Sequence, residues 1–368
     1  MRPGTGRRIV PPMYRVRLAV AAMAVLLLFA ACTGAASTTP SPSPPASGSA
    51  LPSPTRTPAP SSSPEAPAVD ATVAAGLALV RPVDGIDQLF VIDPDGSARQ
   101  LTGLPDGAAP GAAIPKWSPD RSMIAFAPPA RGAGLDPQLW LVNADGSEQR
   151  NVGSVGETTG WSPDSQRLLW MESVYTTDNT GLPPRLWLYD VPSGELTDLG
   201  QGATPQWLPD GERYSYQPVH GGVQEDVPTL VVVSLDGSGE PQELAPGAGG
   251  WWSPDGTGVL LRRNDGLYLA NADGTDARAL VAGDNPAWSP DGQHVAYAHV
   301  DAAGTFMVGV IDREGQLLLD SVPGSNPTWS SDGTMLAVEV GIEQISTQIL
   351  DAATGEVIWE LEGRHPAW

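Results

Sequence analysis

A chain of 368 residues, 41% of them hydrophobic, is long enough for one large domain or two ordinary ones. Six of its 20 basic residues but only two of its 42 acidic ones precede residue 71, which leaves residues 71–368 fourteen basic against forty acidic side chains. Such a surface argues against nucleic-acid binding by phosphate neutralisation and is open to cationic partners. Cys32 is the one cysteine, so no disulfide can form within the chain.

Arg15 and Arg17 precede an apolar run from Leu18 to Ala31, and small residues follow in Ala30-Ala31-Cys32-Thr33-Gly34. A basic start, an apolar stretch of this length and small residues at the cut describe a signal peptide. The run is short of the roughly 20 apolar residues a spanning helix needs. Met13 offers a second start compatible with the same signal. Leu28-Phe29-Ala30-Ala31-Cys32 resembles the lipobox of bacterial lipoproteins, with Phe29 standing where Leu is usual. That resemblance implies cleavage before Cys32 and lipid on its thiol. The competing reading is an ordinary signal peptide cut a few residues later, for example after Ala35. A diacylglyceryl group, at about 0.8 kcal/mol per buried methylene, would hold the protein at the membrane.

From Thr33 to Ala68 the sequence is Ser, Thr, Pro and Ala with almost no charge or bulk. It lacks the apolar side chains to bury a core and reads as a disordered, partly polyproline tether. Fully extended it reaches on the order of 100 Å. The expected organisation is a lipoprotein-type signal at 1–31, a tether at 32–70 and one folded domain at 71–368.

The folded part is built on a repeat. Trp252-Ser253-Pro254-Asp255-Gly256 recurs as Trp288-Ser289-Pro290-Asp291-Gly292, with looser copies at Trp117, Trp161, Trp207-Leu208-Pro209-Asp210-Gly211 and Trp329. Pro366-Ala367-Trp368 opens a further copy, and successive Trp residues lie 36 to 46 positions apart. That period is the spacing of propeller blades. Within one period, Pro286–Trp288 reads as a short inner strand and Ser289-Pro290-Asp291-Gly292 as a tight turn. His294–Ala298, Phe306–Ile311 and Gln316–Asp320 read as three more strands. No segment sustains a helical period.

Six complete copies follow an orphan set of three strands, Leu77–Arg81, Gln88–Asp93 and Ala98–Thr102. The orphan strand His365–Trp368 supplies the missing member. The prediction is an all-β, seven-bladed β-propeller of four-stranded antiparallel blades, closed by pairing of its N- and C-terminal strands. Closure of that kind leaves no open edge.

These repeats resemble the TolB-type β-propeller, a WD-repeat-like group whose blades carry Trp-Ser-Pro-Asp-Gly, over about residues 76–368. TolB has an α/β domain ahead of its propeller where this sequence has the tether, so TolB's partner contacts do not carry over. Similar propellers precede the hydrolase domain of dipeptidyl-peptidase-like enzymes, but no Gly-x-Ser-x-Gly elbow occurs here. The repeated Trp and Asp read as scaffold.

In the usual strand order both kinds of Asp-Gly turn share one face. The loops between second and third strands share the other. Three of those loops are long and fall in consecutive blades: Ala127–Pro137, Glu172–Arg185 and Gln217–Pro228. Loops on a rigid scaffold are where binding residues gather. Tyr175, Asp178, Arg185, His220 and Glu225 are the candidate ligand-binding side chains there, with His299 and His365 on the same predicted face. No His-x-x-x-His or Glu-x-x-His spacing points to a metal, and Asp93-Pro94-Asp95-Gly96 lacks the further ligands of a calcium loop. No cofactor is expected.

The resulting expectation is a monomeric lipoprotein on the outer face of a bacterial membrane. Its propeller acts as a non-catalytic binding or scaffold module for an envelope protein, peptide or glycan. The alternative is a lyase or hydrolase with a His-containing site at the channel mouth.

Overall fold

Short apolar runs between Asp-Gly turns pair as antiparallel strands throughout the computed structural model, which describes residues 74–103, 115–127, 138–154, 159–172, 183–219, 229–341 and 345–368. The strands form seven four-stranded sheets, and no α-helix occurs among the described residues. Blades 2 to 7 open with the innermost strands Lys116–Trp117, Thr159–Trp161, Ala203–Trp207, Ala248–Trp252, Asp284–Trp288 and Ser325–Trp329. Blade 1 is composite. Its innermost strand, Arg364–Ala367, pairs with Ala78–Val83, and Ile86–Ile92 and Ala98–Gln100 complete the sheet.

The expected ring closure is therefore present, through Ala78↔Ala367 and Val80↔Arg364. The third strand of blade 1 begins at Ile86, two residues before the predicted start. Asp84 and Gly85 both take positive φ, 52° and 78°, the geometry of a two-residue hairpin turn that extends pairing to Val83↔Ile86.

The Ser-Pro-Asp turns, and Ser330-Ser331-Asp332 with them, are locked by hydrogen bonds of the serine hydroxyl. Ser118, Ser162, Ser253, Ser289 and Ser330 are buried and donate through Oγ to Oδ1 of Asp120, Asp164, Asp255, Asp291 and Asp332 at 2.5–2.7 Å. Each Ser Oγ also accepts from a backbone N–H five residues on, for example Gly258 N at 3.0 Å. The turns then tile around the ring. A side chain at Gly292 (φ 67°) would meet Pro254 of the preceding turn at 3.3 Å, so glycine serves both the positive φ and the close approach.

The Trp residues join blade to blade. The indole Nε1 of Trp161, Trp207, Trp288 and Trp329 donates to the carbonyls of Lys116, Gly160, Trp251 and Ala287 on the preceding innermost strand, at 2.9–3.2 Å. An innermost strand is a sheet edge with unpaired carbonyls, and the next blade's indole satisfies one of them. Trp252 uses Ser215 Oγ instead, at 3.0 Å. Apolar clusters fill the spaces between blades, with Leu168 and Trp170 in one and Leu336 and Val338 in another.

Two outcomes follow from these contacts. Trp329→Phe keeps the ring but orphans the Ala287 carbonyl, and should lower the unfolding free energy by about 1–3 kcal/mol in denaturant titration. The turn carboxylates are held below their ordinary value of 3.8, Asp120, Asp255, Asp291 and Asp332 chiefly by the serine hydroxyls. A lowered folded pKa contributes stability that is present above the unfolded pKa and lost as pH falls through the folded one. Stability should thus be level from about pH 5 upward and fall below about pH 4; denaturant titrations in which stability rises on acidification to pH 3 would contradict this.

Candidate functional site

The face that carries the strand-2 to strand-3 loops also carries the N-terminal ends of the innermost strands. Three residues before each repeat Trp the backbone is left-handed: Thr204 (φ 48°), Gly249 (73°), Asn285 (49°), Asn326 (50°) and His365 (53°). Four of the five precede proline, in Thr204-Pro205, Asn285-Pro286, Asn326-Pro327 and His365-Pro366. Positive φ at a non-glycine residue costs on the order of 1–3 kcal/mol, and for a β-branched Thr it is a true outlier. Five blades repeat it at the same place, which makes a collar around the channel mouth. The corresponding residues of blades 2 and 3, Ile114 and Thr158, lie outside the described residues.

The collar side chains are wired together. Asn285 Nδ2 donates to Asn326 Oδ1 at 2.8 Å, and Asn326 Nδ2 donates to Glu339 Oε2 at 2.7 Å. The other oxygen of Glu339 takes the backbone N–H of His365 and lies 3.1 Å from His365 Nδ1. One carboxylate on the second strand of blade 7 (Met335–Val340) thereby ties the collar of blades 6 and 7 to the closing strand of blade 1. Arg364, beside His365, pairs with the buried Asp87 of blade 1.

Burial raises the pKa of Glu339, but the hydrogen bonds and charge of His365 and the amide of Asn326 outweigh it and leave the carboxyl below its ordinary 4.5. The group stays anionic at neutral pH. Its Nδ1-side contact with His365 fixes the imidazole and leaves Nε2 without a protein partner among the described residues.

Unspent hydrogen-bonding capacity surrounds the collar. Thr204 Oγ1, Gln217 Nε2 and Arg364 Nε are buried with no hydrogen-bond partner among the described residues. Buried polar groups are rarely left so, and those that are mark a water or ligand position. Lys116, the chain's one lysine, stands on the innermost strand of blade 2. Its side chain keeps exposed surface, yet burial lowers its pKa.

Of the residues expected from sequence, Tyr175, Asp178, His220 and Glu225 lie outside the described residues, as does Cys32. Arg185 opens the third strand of blade 3 and pairs with Asp198. His299, in blade 6, sits 2.7 Å from Ser321 Oγ and stacks on Tyr297. His365 is the one of these wired into the collar. Thr204, Asn285 and Asn326 carry a signal in the sequence, a polar residue before proline three places ahead of the Trp, whereas Glu339 carries none. Among the described residues no three His, Cys, Asp or Glu side chains converge as metal ligands.

Glu339→Gln should cost about 2 kcal/mol at pH 7, since the hydrogen bonds it weakens are charge-assisted. Because the folded pKa of Glu339 is depressed, the gap between wild type and variant should be full above pH 4.5 and close as pH falls below it. A gap independent of pH, in denaturant titrations from pH 3 to 7, would remove the charge from the explanation.

No family model and no curated protein matches the chain. Solved structures match it in fold. A Mycobacterium tuberculosis puromycin-hydrolyzing peptidase is 16% identical with a TM-score of 0.54, over 82% of this chain and 55% of that one. Oligogalacturonate lyase in complex with manganese is 16% identical with a TM-score of 0.52, over 79% and 86%. TolB from Acinetobacter baumannii is 17% identical with a TM-score of 0.48, over 79% and 66%. The chain spans about half the length of the peptidase and 66% of TolB. The likeness is one of fold.

Proposed function

We propose that this seven-bladed propeller, built on the Trp-Ser-Pro-Asp-Gly repeat of TolB-type proteins, is a non-catalytic binding module of a bacterial cell envelope. The observation that carries the proposal is the collar. Four side chains from three blades are fixed by hydrogen bonds at the channel mouth, on the face that bears the long loops between second and third strands. Carboxamides, an imidazole and a carboxylate held this way match the donors and acceptors of a peptide backbone or sugar hydroxyls, and pre-ordering them lowers the entropic cost of binding. Loops 127–137, 172–185 and 217–228 would add the specificity. Tyr175, Asp178, Arg185, His220, Glu225, His299 and His365 belong to that surface in this reading.

The partner class is an envelope protein, peptide or glycan. A lipid on Cys32 would anchor the chain to the outer face of the membrane, with residues 32–70 as a tether that lets the propeller at 71–368 search its surroundings. The second reading, a lyase or hydrolase at the channel mouth, draws on the His365–Glu339 pair, where the carboxylate orients the ring and Nε2 is left to act as a base.

Three measurements test this. Cys32→Ser should move the protein from the membrane fraction to the soluble one and remove its lipid mass; an unchanged distribution rejects the anchor. Crosslinking of the full-length protein in membranes should capture an envelope component, and Asn326→Ala or replacement of residues 173–182 should reduce that capture at least fivefold. Capture unaffected by both changes would move binding off this face. Turnover of an envelope peptide or glycan, lost in His365→Ala, would favour the enzyme.

A further inference from the structure

On the opposite face, where the Ser-Pro-Asp turns tile, five of the repeat Trp residues pack against a neighbouring side chain. The guanidinium of Arg121 lies 4.5 Å from the ring centre of Trp117, and His294 stacks on Trp329. Val191 joins the cluster of Trp161, and Leu235 that of Trp207. At Trp288 the cover is Arg313, whose guanidinium lies 5.4 Å from the ring centre. Arg313 Nη1 also donates to Asp255 Oδ2, and Nη2 to Thr257 Oγ1, both at 2.9 Å in the turn of the preceding blade.

Trp252 is the exception. The strand register places Asn271 opposite Gly258 in blade 5 as it places Asp312 opposite His294 in blade 6, so Ala272 occupies the position of Arg313. By the same equivalence Asp210 of blade 4 corresponds to Asp255. Among the described residues no cation stacks on Trp252. Between blades 4 and 5 the surface opens instead into a groove of about 570 Å³. Its walls include Trp252, Leu208, Asp210, Asp255 and Asp273, with Arg213 the one cation among them.

We propose that this groove is a binding site for a guanidinium side chain, presented by an arginine of a partner peptide or protein. The molecule's own occupant of the adjacent junction, Arg313, shows what such a site holds: a planar cation over an indole, hydrogen-bonded to a turn carboxylate. Of the three carboxylates in the groove, Asp255 is paired with Arg313 and Asp210 with Arg213, so the net negative charge comes from Asp273. Arg213 takes one oxygen of Asp210 at 2.7 Å, while Asp273 binds only Thr275, through Oδ1, and keeps Oδ2 for a ligand. Hydrogen bonds hold Asp210 and Asp273 below the ordinary carboxylate range, for Asp210 against an opposing effect of burial, so both are charged at neutral pH. An Arg over Trp gains from the ring quadrupole as well as from the carboxylates. The excess of acidic residues in 71–368 would draw a basic partner toward this face.

The groove is far in topology from the collar, since it uses the turns rather than the long loops, and its test is separate. Acetyl-Gly-Arg-Gly-amide is titrated into the full-length protein in detergent, with the citrulline peptide as the isosteric neutral probe. The expected result is saturable binding of the arginine peptide, at least tenfold weaker for citrulline and weaker at raised salt. Ala272→Arg, which supplies the guanidinium from within the chain at a position where blade 6 carries one, should abolish it. Asp273→Asn should weaken it at least threefold, and Glu356→Gln, an equal charge change on blade 7, should not. Equal affinity for the two peptides, or binding retained in Ala272→Arg, overturns the proposal. So does a neutral oligosaccharide that binds wild type and not Ala272→Arg, which would assign the groove to glycan.

Discussion

Everything in this molecule depends on one pairing, that of Arg364–Ala367 with Ala78–Val83. A ring of blades has no core of its own; each blade buries its faces only against its neighbours. A gap between blades exposes two apolar sheet faces, and loss of the closing strand also bares the edge of Ala78–Val83. The chain places its closure where the C-terminal strand completes the N-terminal blade, so the ring is shut by contacts between residues almost 300 positions apart. Side chains reinforce the ladder at that point: Arg364 with Asp87, His365 with Glu339, and Arg81 Nε with the Glu362 carbonyl.

The closing strand is also part of the collar. His365 contributes a backbone N–H and an imidazole to Glu339, and Glu339 holds Asn326, which holds Asn285. Ring closure and the ordering of the channel mouth are thus one network. Removing a partner from a buried charged group costs more than the pair contributes when intact, because the remaining charge stays desolvated. A change at Glu339 is therefore expected to be felt both in the stability of the ring and in the positions of side chains two blades away.

The fold was legible because turn chemistry repeats with the blade. Pro, Asp and Gly at fixed offsets after a Trp announce a strand-turn-strand unit, and the structure adds the reason for the Trp and Ser: an indole donor for the previous blade's edge and a hydroxyl that locks the turn. The collar was not legible in the same way. Its members are 41, 13 and 26 positions apart in the sequence and come together only when the ring closes. His365 was visible as a histidine on the correct face, but its partner Glu339 looks from sequence like any polar residue near a strand end. The groove is a different case. Its signature is a Trp without a cationic or aromatic cover. Ala272 stands where blade 6 has Arg313, as Ala144 and Ala352 do in blades 2 and 7, but there Arg121 and His294 lie against Trp117 and Trp329. The correspondence has meaning only after strand register fixes it.

The two faces of the ring divide the physical work. On the turn face, buried serine hydroxyls, left-handed glycines and prolines set each turn against the next, so a departure in one repeat leaves a shaped vacancy rather than a collapsed one. Blade 4 departs twice: Leu208 replaces the turn serine, and Asp210, without that hydroxyl, turns to Arg213 and to the backbone N–H groups of Glu212 and Arg213. On the loop face, strained left-handed residues at the start of the innermost strands aim polar side chains at one another. A scaffold that is rigid by repetition can carry a binding site wherever one repeat breaks the pattern, and in this chain the broken patterns and the polar network fall on opposite faces.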